Sequence, residues 1–411
     1  MKHEVKTMNL TGKTVVLGIT GGIAAYKMPN VAHALVKMGA DVHVLMTKNA
    51  TQFITPLVFE TLTNRRCIVD TFDRNFQYDV AHISLANAAD ALLIAPATAN
   101  VLAKLAHGLA DDMLTTVTLA ATCPKLVAPA MNTHMLENPI TQDNLKTLAG
   151  YGFTVIPSGS GMLACGDVGS GRLPEESVLV DYVVRALAGP KDLTDRRVVV
   201  SAGATQEPMD PVRYITNHST GKMGYAVARA CMLRGADVTL LTANTGLPPV
   251  PFVKTVPFTT AADLFEAVKT HAVEHPADAL VMAAAVADYR PVTVAGDKMK
   301  KKDGELTLPL ERTQDILGWV GEHKPEGLFV CGFSMETRDL IENSTAKLRK
   351  KKMDLIVANN LKVPGAGFGV DTNVVTLIDG QGMQELPLQS KDEVAMHIAD
   401  RISGALHKNN A

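Results

Sequence analysis

Twice along this chain a run of β-branched residues gives way to a glycine turn, a helix and a second apolar run. The first copy starts with TVVLGIT (Thr14–Thr20); its helix ends at Gly39-Ala40-Asp41-Val42, before the strand VHVLMT. The second starts with RVVVSAG (Arg197–Gly203) and reaches Gly235-Ala236-Asp237-Val238 before VTLLTA. Each copy then gives one more apolar strand: Ala89-Asp90-Ala91-Leu92 opens ALLIAPA, and Ala277-Asp278-Ala279-Leu280 opens ALVMAAA. Nearly continuous Val, Ile and Leu in short runs separated by helices is the mark of strands buried on both faces of a parallel sheet.

The fold class expected is therefore α/β, with two tandem Rossmann-like domains. A chain of 411 residues is too long for one ordinary core at roughly 150 residues per domain, and 46% hydrophobic with 20% charged residues suits globular domains. The helix read from Glu175 to Leu187 is broken at Gly189-Pro190, so the boundary falls near Ala188–Asp195 and the domains are 1–190 and 191–411. Repetition of this kind follows from packing physics and says nothing about activity. A net charge of −2 gives no basic field for nucleic acid or an anionic membrane, and 5% aromatics offers no base-stacking platform. The five cysteines are scattered, without CxxC spacing, which suggests a reducing compartment. The first residues lack an apolar export segment, and the most apolar stretch, Ala88 to Ala106, is interrupted by Pro96, Asn100 and Lys104. A cytoplasmic location is expected.

Neither glycine turn reads GxGxxG, and neither second strand ends in the acidic residue that would hold a ribose hydroxyl, so a nicotinamide oxidoreductase is disfavoured. Gly21 and Gly22 could still receive a phosphate at the following helix, with hydroxyls from Thr20 and Thr47. Taken alone, this turn is better read as an ordinary tight connection. The two halves also differ in length at this point. Val15 to Gly39 is 24 positions and Val198 to Gly235 is 37. The surplus lies in ATQEPMDPVRYITNHSTGKMG, an extended polar loop at the end of the sheet where such folds bind ligands.

In the first domain three sites are read as following strands or lying in loops: Ala81-His82-Ile83-Ser84-Leu85, then Pro129-Ala130-Met131-Asn132-Thr133-His134-Met135, then Leu163-Ala164-Cys165-Gly166 in a Gly/Ser-rich loop from Pro157 to Arg172. Between the first two lies Pro96-Ala97-Thr98-Ala99-Asn100. A lone His is usually structural, an Asn after a strand usually a turn residue, and a lone Cys usually a small buried filler. Together, over roughly Lys13 to Leu187, these motifs resemble the flavin-dependent cysteine decarboxylases, in particular the phosphopantothenoylcysteine decarboxylase branch. Leu136 departs from that pattern, where relatives often carry Trp. The resemblance implies a flavodoxin-like fold binding FMN on the turn Gly21, Gly22 and Thr47 and on Pro96, Thr98 and Asn100. It also implies His82 as the base, Asn132 as the substrate holder and Cys165 as the proton donor. A flavin can oxidise the CH2–SH carbon of the substrate to a thioaldehyde, which places a C=S group β to the departing carboxylate, and the protein supplies orientation and protons.

The second domain carries Asp210-Pro-Val-Arg213-Tyr-Ile-Thr-Asn217-His218-Ser219-Thr220-Gly221-Lys222-Met223-Gly224. Further on come Ala283–Tyr289, Lys298-Met299-Lys300-Lys301, Gln314-Asp315-Ile316-Leu317, Gly332-Phe333-Ser334 and a helix with Lys347 and Lys351 one turn apart. Over roughly Asp192 to Ser403 this resembles phosphopantothenate–cysteine ligase, with RYITNHSTGKMG its most specific run. Thr313-Gln314-Asp315 stands where relatives usually have Pro before the Asp. By default the lysine runs are solvated faces and Phe333 is core. The resemblance implies activation of a carboxylate by CTP as an acyl-cytidylate, with Mg2+ accompanying the triphosphate on protein ligands the sequence does not name. It assigns Asn217 and Arg213 to orienting the acyl intermediate and Lys298 to neutralising the α-phosphate. Ala284, Asp288, Gln314, Asp315, Ile316, Leu317, Phe333, Lys347 and Lys351, with Lys298, would hold the nucleotide.

The expected activity is thus two steps of coenzyme A biosynthesis, ligation of cysteine to 4′-phosphopantothenate and decarboxylation of the product to 4′-phosphopantetheine. The expected partners are these small molecules and other copies of the chain, as trimers of decarboxylase domains and dimers of ligase domains, with neither nucleic acid nor membrane. A regulatory protein on the flavin fold is the first rival, disfavoured because both His82 and Cys165 are present. A flavin decarboxylase for another cysteine-terminated substrate is the second, disfavoured by Asn217 and Lys298.

Overall fold

A computed structural model describes residues 9–71, 81–162, 168–300, 307–336, 339–360, 367 and 369–408. Two compact units divide between Ala188 and Gly189. The first is built on five parallel strands: Thr14–Ile19, Asp41–Met46, Ala91–Ala97, Lys125–Pro129 and Thr154–Val155. Numbered along the chain, their spatial order is 2-1-3-4-5, the flavodoxin-like arrangement. Alternation along the first strand sends Val15, Leu17 and Ile19 into one core with Leu35 and Val183, and Val16 into another with Leu92, Leu102 and Leu114. Both faces are thus covered by helices, among them Met28–Lys37, Ala99–Ala106, Met113–Ala120 and Glu176–Leu187.

The second unit carries an eight-stranded sheet. Its six parallel strands, in chain order, are Arg197–Ala202, Asp237–Thr242, Lys254–Pro257, Ala279–Met282, Phe329–Glu336 and Leu355–Asn360. They lie in the order 3-2-1-4-5-6, the doubly wound plan in which the crevice opens where the order reverses. The strands Thr372–Asp379 and Gly382–Ser390 extend the far edge antiparallel, and the 18-residue helix Lys391–Lys408 follows them. No described helix is long and apolar enough to cross a membrane.

Four details correct the sequence reading. The polar insertion before the second-unit helix is not a plain loop: Gln206–Pro208 pairs antiparallel with Tyr214–Thr216 before the helix Lys222–Leu233 begins. The Gly/Ser-rich segment also forms a ribbon, Gly159–Met162 against Val168–Arg172. His82 lies on the helix Ala81–Ala88, not in a loop. Lys351 is the residue that ends the helix Leu340–Lys350, so only Lys347 is inside it. Three-residue strands are too short to show a period of two, and the glycines of the second ribbon hide its strand character.

Candidate functional site

In the first unit the carboxyl ends of the strands frame a cleft of about 650 Å³. Its floor is tied together by Thr20, which is fully buried. Its hydroxyl donates to the Pro96 carbonyl at 2.6 Å and accepts from the Thr98 N–H at 3.1 Å. This bond joins the first glycine turn to the Pro96–Asn100 turn, and a buried link of this kind contributes on the order of 1 kcal/mol. Thr98 then caps the helix Ala99–Ala106.

The two glycines of the first turn have different reasons to be glycine. A Cβ on Gly21 would lie 2.5 Å from the Cβ of Asn49, so the protein's own packing demands it. A Cβ on Gly22 would meet nothing closer than Thr98 and Pro96 at 3.7 and 3.8 Å, on the cleft side. Gly22 therefore leaves open a cradle that the protein does not fill, which fits a planar or phosphorylated group seated there. Past this turn the chain makes a 3-10 turn, Ile23–Lys27, before the α-helix, so the helix starts later than the sequence suggests.

Also in the cleft lining, Asn132 caps the short helix Thr133–Glu137, with its Oδ1 accepting the His134 N–H at 2.9 Å. The ribbon strand Val168–Arg172 lies directly against this turn. The Met131 N–H donates to the Gly171 carbonyl at 3.0 Å, and Thr133 donates to the Ser170 carbonyl at 2.7 Å. Gly171, at φ +114°, comes so close that a Cβ would sit 2.2 Å from the Met131 oxygen.

The cleft thus brings together Gly21, Gly22, Pro96, Thr98 and Asn132. Thr47 and Asn100 are not on its wall: Thr47 is buried and accepts the Ala50 N–H at 3.3 Å, and Asn100 is exposed on the following helix. His82 is half-buried on its helix and also stands outside the cleft. Cys165 lies outside the described residues. The sequence reading missed Lys27 and Arg172, both in the cleft lining. Lys27 is 7% exposed, and its ammonium lies 3.5 Å from Glu175 and 3.8 Å from Glu176. Arg172 reaches Glu175 from the ribbon at 3.2 Å. Its place after the Gly21–Gly22 turn was the one available sign of Lys27, and a lysine there is ordinarily read as solvated.

In the second unit two adjoining cavities share Ala284, Val286, Asp288 and Phe333. One, of about 500 Å³, gathers Ala284, Asp288, Gln314, Asp315, Ile316, Leu317, Phe333 and Lys351. Lys351 donates to Asp315 at 2.9 Å, and Asp315 caps the helix Ile316–His323 by accepting the Gly318 N–H at 3.0 Å. Burial opposes ionisation of Asp315, but the Lys351 ammonium and the Gly318 N–H hold its carboxyl below the ordinary value. Lys347 is exposed and is not part of the lining, so the structure does not place the two lysines on one wall.

The other cavity, of about 440 Å³, takes in Asn217, Lys222, Ala285, Asn359, Asn373 and Lys391. The Asn217 amide donates to the Ala285 carbonyl at 3.3 Å, which pins the 217–221 turn beside the end of the strand Ala279–Met282. Lys391 is 7% exposed and donates to the Val370 carbonyl at 2.6 Å. Burial, with Lys222 nearby, pushes its pKa down to about 8.

Arg213 and Lys298 stand outside both linings. They are joined through Asp210, whose side chain is fully buried. Its carboxylate accepts the N–H groups of Val212, Arg213 and Met299 at 2.8, 2.8 and 3.1 Å and the Arg213 Nε–H at 2.9 Å. Arg213 also donates to the Met299 carbonyl at 2.6 Å. Although burial opposes ionisation, these donors hold Asp210 far below the ordinary carboxylate range. The result is a fixed attachment of the exposed Lys298 loop to the ribbon. No group of three or more metal-ligating side chains occurs among the described residues.

Each unit therefore presents a cleft at the carboxyl ends of its parallel strands, mostly apolar in the first and more polar in the second, which defines a protein with two ligand sites on two α/β domains. The Flavoprotein family profile matches residues 3–188, and that of the DNA/pantothenate metabolism flavoprotein C-terminal domain matches residues 193–406. The coenzyme A biosynthesis bifunctional protein CoaBC of Bacillus subtilis (strain 168) is 45% identical over 398 residues, covering 96% of this chain and 97% of its own. The protein of the same name from Escherichia coli (strain K12) is 40% identical, covering 96% of this chain and 98% of its own. A crystal structure of the C-terminal domain of a CoaBC protein is 42% identical and matches with a TM-score of 0.45, over 53% of this chain and all of that domain. The chain belongs to the family of bifunctional coenzyme A biosynthesis proteins, a flavoprotein domain followed by a pantothenate-metabolism domain.

Proposed function

We propose that residues 191–411 join cysteine to 4′-phosphopantothenate at the expense of CTP, and that residues 1–190 decarboxylate the product to 4′-phosphopantetheine with FMN. One observation carries this reading. The second unit gathers Ala284, Asp288, Gln314, Asp315, Ile316, Leu317, Phe333 and Lys351 in a cavity that adjoins the one holding Asn217. A nucleotide and an acyl substrate need this arrangement, because the carboxylate must attack the α-phosphate where the two meet.

In the ligase half the carboxylate oxygen displaces pyrophosphate from CTP to give an acyl-cytidylate. The cysteine amine then attacks the acyl carbon and releases CMP. Lys298 neutralises the charge that builds on the α-phosphate, and Asn217 orients the acyl group. Arg213 acts on the same intermediate and, through Asp210 and Met299, on the position of the Lys298 loop. Phe333 packs against the nucleotide, Asp288 contacts it, and Lys351, on the same cavity wall, faces its phosphates. Mg2+ would accompany the triphosphate and offset its charge.

In the decarboxylase half Gly21, Gly22, Pro96 and Thr98, which line the cleft, would hold FMN, and Thr47 and Asn100 would act only from behind its wall; the open cradle at Gly22 supports this placement. Bound FMN would supply reversible oxidation of the thiol-bearing carbon. Asn132 offers an N–H to the carboxylate and a carbonyl to the amide, His82 moves a proton, and Cys165 returns one. Other copies of this chain complete the picture, as trimers of the first domain and dimers of the second. Exposed Ile23, Tyr26 and Met162 on the cleft rim, and His82 outside its own cleft, support a neighbour covering that rim. The enzyme is placed in the cytoplasm, in keeping with the free thiols of Cys67, Cys123, Cys231 and Cys331.

The purified chain, mixed with 4′-phosphopantothenate, cysteine, CTP and Mg2+, is expected to yield 4′-phosphopantetheine, CMP and CO2 by mass spectrometry. Phosphopantothenoylcysteine as the only product would remove the decarboxylase half of the proposal; no product would remove the ligase half, and supplied phosphopantothenoylcysteine then tests the other.

A further inference from the structure

The part of the ligase cleft away from the nucleotide holds an amide whose polarity is fixed by its neighbours. Asn359, near the end of the strand Leu355–Asn360, is 9% exposed and lines the cavity that contains Asn217. Its Oδ1 accepts from the Asn373 amide nitrogen at 3.0 Å. Asn373 is buried too, and its own Oδ1 accepts the backbone N–H of Val374 at 3.0 Å. A backbone N–H can only donate, so it settles the orientation of both side chains: Asn373 turns its nitrogen to Asn359, and Asn359 must answer with its oxygen.

The strand itself enables this relay. Asn359 pairs with Val375, and the register with the next strand slips between Asn373 and Val375. Such a slip takes a backbone N–H out of the ladder and re-aims the neighbouring side chain, here Asn373. The NH2 group of Asn359 is then left over. Among the described residues no acceptor meets it, although the residue is nine-tenths buried. This nitrogen is not sealed in the interior but opens on the cavity that Asn359 lines, where a donor held in one orientation by Asn373 can meet a ligand.

We infer that Asn359 is a substrate-binding residue of the ligase site, donating an N–H to an oxygen acceptor on the acyl substrate, with Asn373 as the positioning residue behind it. The inference rests on the ligase reading above. Two groups of 4′-phosphopantothenate have the required chemistry, the phosphate with its terminal oxygens and the carbonyl of the pantoyl amide.

Asn359→Asp tests it, because the change keeps the shape and the oxygen facing Asn373 but replaces the donor with an acceptor. The KM for 4′-phosphopantothenate should rise ~10- to 100-fold, the range expected when a buried hydrogen bond to substrate is lost. The KM for CTP, and the rate of CO2 release from supplied phosphopantothenoylcysteine, should stay within about twofold of wild type on the same reasoning. Unphosphorylated pantothenate as the acid distinguishes the acceptors. A defect that vanishes with it places the donor at the phosphate, and one that persists places it at the pantoyl amide; either supports the inference. An Asn359→Asp enzyme with unchanged KM for 4′-phosphopantothenate, or with equal rises for both substrates, overturns it. A wild-type chain that forms no phosphopantothenoylcysteine overturns the ligase reading itself. If Asn359→Asp does not fold, Asn359→Ser is read by the same criteria, since its hydroxyl can serve Asn373 but cannot span to the substrate.

Discussion

At the scale of single residues, the adjacent glycines of the first turn separate packing from ligand binding. Gly21→Ala drives a methyl against Asn49 at 2.5 Å, in a turn that Thr20 holds to Pro96 and Thr98. Overpacking of this kind costs about 1–3 kcal/mol, so the variant should lose on the order of 5 °C in melting temperature. Gly22→Ala meets only ordinary contacts and should melt as wild type does. Its methyl nevertheless points to the side where FMN is proposed to sit, so bound flavin per chain, read from visible absorbance, should fall. Gly22→Ala with full flavin content would place the cofactor elsewhere on the cleft. Both glycines look alike in the sequence, because the neighbour that decides between them, Asn49, comes from the end of another strand.

At the scale of elements, the entry to the second unit rests on Asp192. This residue accepts from Arg234, at the end of the helix Lys222–Leu233, and from Ser403 on the helix Lys391–Lys408. The Arg234 guanidinium holds the Asp192 carboxyl down to about 2. Because the folded pKa lies below the unfolded one, the stabilisation is present above about pH 4 and is lost as pH falls through about 2. It is on the order of 1 kcal/mol after solvent screening. Asp192→Asn should therefore melt a few degrees lower than wild type at pH 7, with the difference closing between about pH 4 and 2. A gap that persists at the acid end would mean that the pairing is not what holds these helices. The strands themselves were legible almost to the residue: TVVLGIT forms Thr14–Ile19, and RVVVSAG forms Arg197–Ala202. Their β-branched runs repeat the same signal at every position. The ribbons were not legible, because QEP and YIT are each three residues long. The Asn359–Asn373 relay was hidden for a further reason, since it depends on a slip in register that no local pattern announces.

At the scale of the whole molecule, each proposed active site is lined only by residues of its own unit among those described, and this makes the division of labour testable. Lys298 belongs to a loop tied to the second-unit ribbon through Asp210 and Arg213. Lys298→Ala leaves that tie intact, because the bonds run through the Met299 backbone. The variant should therefore fold, keep its flavin and still release CO2 from supplied phosphopantothenoylcysteine. From 4′-phosphopantothenate, cysteine and CTP it should release CMP at least ~100-fold more slowly, the scale seen when a charge-stabilising group is removed from a developing anion. Cys165→Ala should do the converse: CMP and CO2 appear, but the decarboxylated product is not protonated to 4′-phosphopantetheine. Following CMP, CO2 and the thiol product in one reaction separates these outcomes, because each variant should stop the sequence at a different point. A folded Lys298→Ala chain that had also lost decarboxylation would mean that the first site depends on the second, and that the two activities are not independent properties of two domains.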